Sequence, residues 1–120
     1  EAGGFVVTSM AGFGLGTTSE NLQGAIDGET FEITEMYPAY MDVARMQEEK
    51  GAVRSFNYAV TAEKIHAAMF TSAKQSADEG KDIDLGPVQI CLVCGHTREG
   101  DAPEKCPVCS SPKEKFQAFA

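Results

Sequence analysis

Apolar residues recur at helical spacing over two long stretches of the chain. From about Ser19 to Lys50 the apolar positions are three, four or seven residues apart, at Ile26, Ile33, Met36, Tyr40 and Val43. From about Ala52 to Ala77 they are Phe56, Val60, Ala67 and Phe70. This spacing places the residues on one face of an α-helix. The sequence therefore predicts two helices joined by a turn at residues 48–51.

Local signals mark the start of the first helix and an interruption within it. Thr17, Thr18 and Ser19 offer a hydroxyl N-cap, and Glu20 places an acid in the first turn. Pro38 lacks a backbone N–H and clashes with the preceding turn, so we expect it to kink the helix or to accompany a bulge.

Four segments follow from these patterns. Residues 1–18 form an apolar, glycine-rich arm, residues 19–82 the two helices, residues 83–87 a linker and residues 88–120 a small C-terminal domain. In that domain Val88–Ile90 is predicted to be a short strand that pairs with Lys115–Phe119. The predicted fold class is mainly α, with a small β metal-binding domain.

The cysteines supply the strongest chemical signal. Two C-x-x-C pairs, Cys91 with Cys94 and Cys106 with Cys109, can deliver four thiolates to one tetrahedral metal site. Sulfur ligands in this geometry suit either iron or zinc. A metal would also stabilise a domain that is too short to build much of a core.

Composition narrows the possible functions. The formal net charge of -8 argues against binding nucleic acid or an anionic membrane. No apolar run approaches the roughly 18 residues of a membrane span. One metal site accounts for all four cysteines and leaves none for disulfides, which favours a reducing compartment, the cytoplasm.

Carboxylates lie within the apolar stripes of both predicted helices. Glu29 is in the first stripe, with Glu32 one turn later, and Glu63 is in the second, with His66 three residues on. A glutamate at the edge of a helix face or a core histidine would be the ordinary explanation. However, E-x-x-E and E-x-x-H on consecutive helices are typical of carboxylate-bridged di-iron bundles. Straight helices would leave Glu29 and Glu63 out of register by roughly 12 Å, which a bulge or an earlier end of the first helix could absorb.

Several motifs together resemble the rubrerythrin family. They are Glu20-Asn21-Leu22, Gly28-Glu29-Thr30-Phe31-Glu32, Met36-Tyr37-Pro38, Ala62-Glu63-Lys64-Ile65-His66, Cys91-x-x-Cys94-Gly95-His96 and Ala102-Pro103-Glu104-x-Cys106-Pro107-x-Cys109. The resemblance implies a helical hairpin that contributes to a ferritin-like four-helix di-iron bundle, followed by a rubredoxin-like Fe(Cys)4 domain. It also implies a peroxide reductase, in which electrons from a separate NAD(P)H-linked reductase pass through the FeS4 centre to the di-iron site and reduce hydrogen peroxide to water.

The resemblance assigns roles to individual residues. Glu29 is implied to be a bridging ligand, Glu32 a carboxylate whose ligation changes with the redox state of iron, and Glu63 and His66 a bridging and a terminal ligand. Tyr37 is implied to hydrogen-bond near the di-iron site. The FeS4 ligands are implied to be Cys91, Cys94, Cys106 and Cys109, with zinc as a possible substitute for iron. His96 is either a hydrogen-bond donor near the sulfurs or an exposed loop residue.

The chain contains only two of the four bundle helices. Two copies related by a twofold axis would each give Glu29, Glu63 and His66, which sums to four glutamates and two histidines. Alternatively, a separate chain or an N-terminal segment supplies the other helices, an expectation that the start at Glu1 rather than Met favours slightly. Two other functions stay open: an electron-transfer protein without a working di-iron site, and a zinc-ribbon module that mediates assembly.

Overall fold

A computed structural model describes residues 16–119 of the chain. The elements are α1 (Thr18–Phe31), a π-helical segment (Glu32–Met36), α2 (Tyr37–Met46), α3 (Lys50–Asp78), β1 (Val88–Cys91), β2 (Thr97–Glu99), a 3-10 turn (Lys113–Lys115) and β3 (Phe116–Phe119). The predicted fold class, mainly α with a small β domain, is confirmed. Almost all of the predicted apolar arm lies outside the described residues.

The first helix begins with a capping box. The backbone N–H of Glu20 donates to the Thr17 hydroxyl at 3.3 Å, and the N–H of Thr17 donates to the Glu20 carboxylate at 2.8 Å. Each bond satisfies an N–H group that has no partner within the helix. The N-cap predicted from the sequence is thus present.

Pro38 is preceded by a bulge, as predicted. Over Glu32–Met36 the helix widens into a π-helical turn, and the N–H of Tyr37 donates to the carbonyl of Glu32, five residues earlier. A widened turn accommodates a proline because the ring would otherwise press against the carbonyl of Thr34. The bulge shifts the register of all residues before it relative to those after it.

The turn between the helices lies earlier than predicted. The helix ends at Met46 rather than Lys50, and α3 begins at Lys50. The N–H groups of Glu48 and Glu49 donate to the carbonyls of Arg45 and Ala44, which is a Schellman motif. Glu48 takes the left-handed conformation, with φ of 58°, at the position where glycine is usual. Gly51, the last residue of the predicted turn, lies within α3 instead.

The helices pack side by side but bury few residues completely. Only Met41, Ala44 and Ala62 are buried helical side chains in the described part of the chain. The aromatic rings of Tyr37, Tyr40 and Phe56 contact one another near the bulge. Three large apolar side chains of α2 are exposed: Tyr40 by 41%, Val43 by 48% and Met46 by 77%. This hairpin therefore lacks the enclosed core of a complete helical bundle.

The C-terminal domain is a three-stranded antiparallel sheet in the order β2-β1-β3. The predicted pairing of the first and last strands is confirmed, with Val88 opposite Phe119 and Cys91 opposite Phe116. Strand β2 was not predicted. It has only three residues and follows the first cysteine knuckle, Cys91–Gly95, so it shows no visible alternation of apolar and polar residues. The core consists of three buried cysteine side chains with Val108, Phe116 and, from α3, Tyr58 packed against them.

The two parts of the chain meet where α3 passes the first cysteine knuckle. A Cβ built on Gly95 would lie 3.7 Å from the Cβ of Ala62, so the knuckle backbone sits directly against the helix. Among residues 16–119, no helix combines the length and the apolar character needed to cross a membrane.

Candidate metal centres

The four cysteines converge within the C-terminal domain. Their sulfurs all lie within 4.8 Å of one another, with the Sγ atoms of Cys91 and Cys109 at 3.6 Å and those of Cys94 and Cys106 at 3.5 Å. None of the four forms a disulfide. Sulfurs bound to one tetrahedral ion at about 2.3 Å would be about 3.8 Å apart. The geometry of the cluster therefore fits a single metal ion.

Both knuckles turn through left-handed residues. Gly95, directly after Cys94, has φ of 77°, and Ser110 takes φ of 61° at the equivalent position after Cys109. The turns aim backbone N–H groups at sulfur. The N–H of His96 hydrogen-bonds the Cys94 sulfur and lowers the pKa of that thiol, although burial, the larger effect, raises it overall.

Ser111 is a functional candidate that the sequence analysis missed. Its hydroxyl lies 3.2 Å from the Cys109 sulfur. Burial raises the pKa of Cys109, but hydrogen bonds with the side chain and backbone of Ser111, together with those to Cys94 and Cys106, outweigh burial and hold that pKa at about 6. Metal binding requires thiolates, so this contact favours the ligating form. A serine two residues after a cysteine is the signal that could have revealed it.

His96 takes neither of its two predicted roles in full. Its side chain is half-buried, its ring packs edge-on against Phe116, and its Nδ1 is buried without a hydrogen-bond partner among the described residues. The donor to sulfur is the backbone N–H of His96 rather than the imidazole.

A second cluster joins the two helices. The Nδ1 atom of His66 lies 2.8 Å from Glu63 Oε2 and 3.7 Å from Glu29 Oε1. One ligand atom from each of the three residues lies within 4.8 Å of the others. The Glu29 and Glu63 side chains are only 16% and 15% exposed. The π-bulge and the early turn reduce the register mismatch expected for straight helices.

The electrostatics of this cluster favour a cation. Burial and the neighbouring carboxylate of Glu63 raise the pKa of Glu29 to about 7. Burial and the charge of Glu63 also raise the pKa of Glu32. Glu29 Oε2 is buried and has no hydrogen-bond partner within residues 16–119. Crowded carboxylates with an unpartnered oxygen are what a metal would satisfy, and hard oxygen donors with one imidazole suit iron.

Glu32 and Tyr37 lie next to this cluster rather than within it. Glu32 belongs to the π-helical segment and interacts with Glu63 and His66 through its charge. Burial raises the pKa of Tyr37, and the nearby charges of Glu63, Glu32 and Glu29 raise it further, which places its hydroxyl beside the carboxylates. The three central residues are the ones predicted from the sequence; their roles as ligands, like those of Glu32 and Tyr37, stay predictions.

Glu29 makes the stability of the metal-free chain depend on pH. Its carboxyl binds a proton more tightly in the folded chain, with a pKa of about 7, than at its usual pKa of 4.5. Its contribution to the free energy of unfolding should therefore decrease as the pH rises from about 4.5 to about 7. Urea unfolding at pH 5 and pH 7 should show a larger loss for the wild type than for Glu29→Gln. Equal losses in the two proteins would contradict the shifted pKa.

Two family models match separate parts of the chain. Residues 11–74 match the family model described as rubrerythrin, and residues 89–117 match the rubredoxin-like domain of rubrerythrin. The chain belongs to the rubrerythrin family. Rubrerythrin-2 of Clostridium acetobutylicum is 54% identical over 113 residues, which cover 94% of this chain and 61% of that relative. Nigerythrin of Nitratidesulfovibrio vulgaris is 34% identical, with coverage of 82% and 48%.

Solved structures agree with this assignment. The fully reduced, all-ferrous state of nigerythrin superposes with a TM-score of 0.76 at 31% identity and covers 97% of this chain and 56% of that one. The chain thus spans about half to three-fifths of the length of these rubrerythrin relatives. Both the thiolate cluster and the carboxylate-histidine cluster fit iron sites.

Proposed function

We propose that the chain forms half of a non-haem iron peroxide reductase. The observation that carries this proposal is the convergence of Glu29, Glu63 and His66 beside the four-cysteine domain. Iron in the cysteine cluster would supply single electrons, and a di-iron pair held by the carboxylates and His66 would use two of them to reduce hydrogen peroxide. The overall reaction consumes one peroxide, two electrons and two protons, and yields two waters.

The residues of the chain have distinct tasks in this reaction. Glu29 and Glu63 supply hard anionic ligands from facing helices, and His66 supplies a nitrogen. Tyr37 lies beside Glu63, and its hydroxyl would orient that carboxylate toward the metals. Burial raises the pKa of Tyr37, so its hydroxyl stays protonated and can serve as a hydrogen-bond donor near the carboxylates. Glu32 adds a further carboxylate that can approach the metals.

One chain provides only half of the expected di-iron ligand set. We propose that further helices cover the open face of the hairpin, from a second copy or from another segment of the protein. Two copies would together offer four glutamates and two histidines, the set found in carboxylate di-iron bundles. The scarcity of buried side chains in the hairpin supports this part of the proposal.

Iron loading tests the proposal. Purified protein is incubated anaerobically with ferrous iron, its iron content and native mass are measured, and peroxide consumption is followed with a chemical reductant or an NAD(P)H-linked reductase. We expect thiolate-iron colour, more than one iron per chain and peroxide turnover. A colourless protein that prefers zinc would overturn the proposal. One iron per chain without turnover would indicate an electron carrier.

A further inference from the structure

A hydrogen bond from the C-terminal domain reaches His66. Its Nε2 atom lies 2.9 Å from the Thr97 hydroxyl, although the two residues are 31 positions apart in the chain. Thr97 begins β2 and is only 5% exposed, which makes it the one buried polar residue among residues 16–119. The contact therefore joins the helix that bears His66 to the strand that follows the first knuckle.

The hydroxyl proton of Thr97 is engaged in a hydrogen bond of its own. It donates to the carbonyl of Gly95 at 3.0 Å. A hydroxyl has one proton and two acceptor lone pairs, so toward His66 it can act only as an acceptor. The Nε2 atom of His66 must then carry the hydrogen of that contact. Which nitrogen of a histidine binds a metal is set by the hydrogen bond that the other nitrogen makes.

The other nitrogen points to the carboxylates. Nδ1 is the atom of His66 that lies 2.8 Å from Glu63 and 3.7 Å from Glu29. An imidazole with its hydrogen held at Nε2 offers its free lone pair at Nδ1. His66 thus donates to Thr97, and Thr97 donates to the carbonyl of Gly95; these two hydrogen bonds fix both the tautomer and the direction of the ring.

We propose that Thr97 is a positioning residue that selects Nδ1 of His66 as the metal-binding nitrogen. This inference rests on the proposed function, because it assumes that the carboxylate-histidine cluster holds metal. Partners of this kind typically affect metal affinity by about 10- to 100-fold. Since the His66 side chain is 31% exposed, water can partly replace the hydroxyl, and the lower end of that range applies.

Two substitutions at Thr97 distinguish the effect of the hydroxyl from the effect of the side-chain shape. Thr97→Val keeps the branched shape and removes the acceptor, whereas Thr97→Ser keeps the hydroxyl. Thr71→Val is the matched control, because the exposed Thr71 hydroxyl only donates to the carbonyl of Ala67 in its own helix. Zinc is the probe, since it is diamagnetic and binds both imidazole and thiolate. The readouts are zinc titration of the second site, after the cysteines are filled, and ¹⁵N NMR of the His66 ring.

We expect zinc bound at Nδ1 and hydrogen at Nε2 in the wild type, in Thr97→Ser and in Thr71→Val. Thr97→Val should bind zinc about tenfold more weakly at the second site and lose the protected Nε2 hydrogen. Unchanged affinity and ring signals in Thr97→Val would overturn the inference. Hydrogen at Nδ1 in the zinc-loaded wild type would also overturn it, even if Thr97→Val failed to fold. A wild type that binds no zinc beyond the cysteines would instead overturn the proposed function, and this inference with it.

Discussion

Replacing Glu63 with glutamine should abolish peroxide reduction while leaving the thiolate-iron colour of the protein unchanged. Glu63 lies at the centre of the second cluster: it is 2.8 Å from His66, and its carboxylate raises the pKa of both Glu29 and Tyr37. The amide keeps the size of the side chain but removes the negative charge that binds a cation. We expect at least a ~100-fold loss of activity, the upper range for altered metal-site partners.

The measurement compares iron-loaded Glu63→Gln with wild type in a peroxide assay, together with visible absorption and iron content. Glu35→Gln is the matched control, since Glu35 lies exposed in the π-helical segment. The control should keep full activity. Normal activity in Glu63→Gln would contradict the proposed role of this residue, and loss of colour together with activity would contradict two separate metal sites.

The sequence predicted the chemistry of the site better than its geometry. The C-x-x-C spacing and the glutamates in the apolar stripes were visible because residue type and helical period determine which side chains share a face. Pro38 correctly indicated a bulge, because the missing N–H is a local property. The register between Glu29 and Glu63 was uncertain, since it depends on the π-bulge and on where the first helix ends. Both features lie between the two glutamates, and each shifts one helix along the other.

The errors have physical causes too. The predicted turn ended at Gly51, but the residue in the left-handed conformation is Glu48. A Schellman motif stabilises it, and the backbone hydrogen bonds of that motif leave no clear signal in the sequence. Thr97 was missed because its contact with His66 forms only when the helices and the C-terminal domain come together. Ser111 contacts a cysteine only two residues away, so its position just after the second C-x-x-C segment was visible in the sequence and was overlooked.

Replacing Cys106 with serine should unfold the C-terminal domain and leave the helices in place. Cys106 is 2% exposed, and the small core of this domain is built around it and the other cysteines. A short metal-held domain derives its folding free energy from the metal, on the order of 10 kcal/mol for thiolate sites. A serine hydroxyl is a poor substitute for a thiolate with a soft metal, and it also buries a polar group in the core.

Amide hydrogen exchange and visible absorption measure this outcome. In Cys106→Ser we expect loss of the thiolate-iron colour and loss of protection over residues 88–119, with residual protection in α3. Ser110→Gly in the same knuckle is the control: because Ser110 has φ of 61°, glycine relieves backbone strain, and both colour and protection should be retained. If Cys106→Ser kept a protected β1–β3 sheet, the sheet would be stable without its metal, and the cysteines could be redox ligands without being the source of the domain's stability.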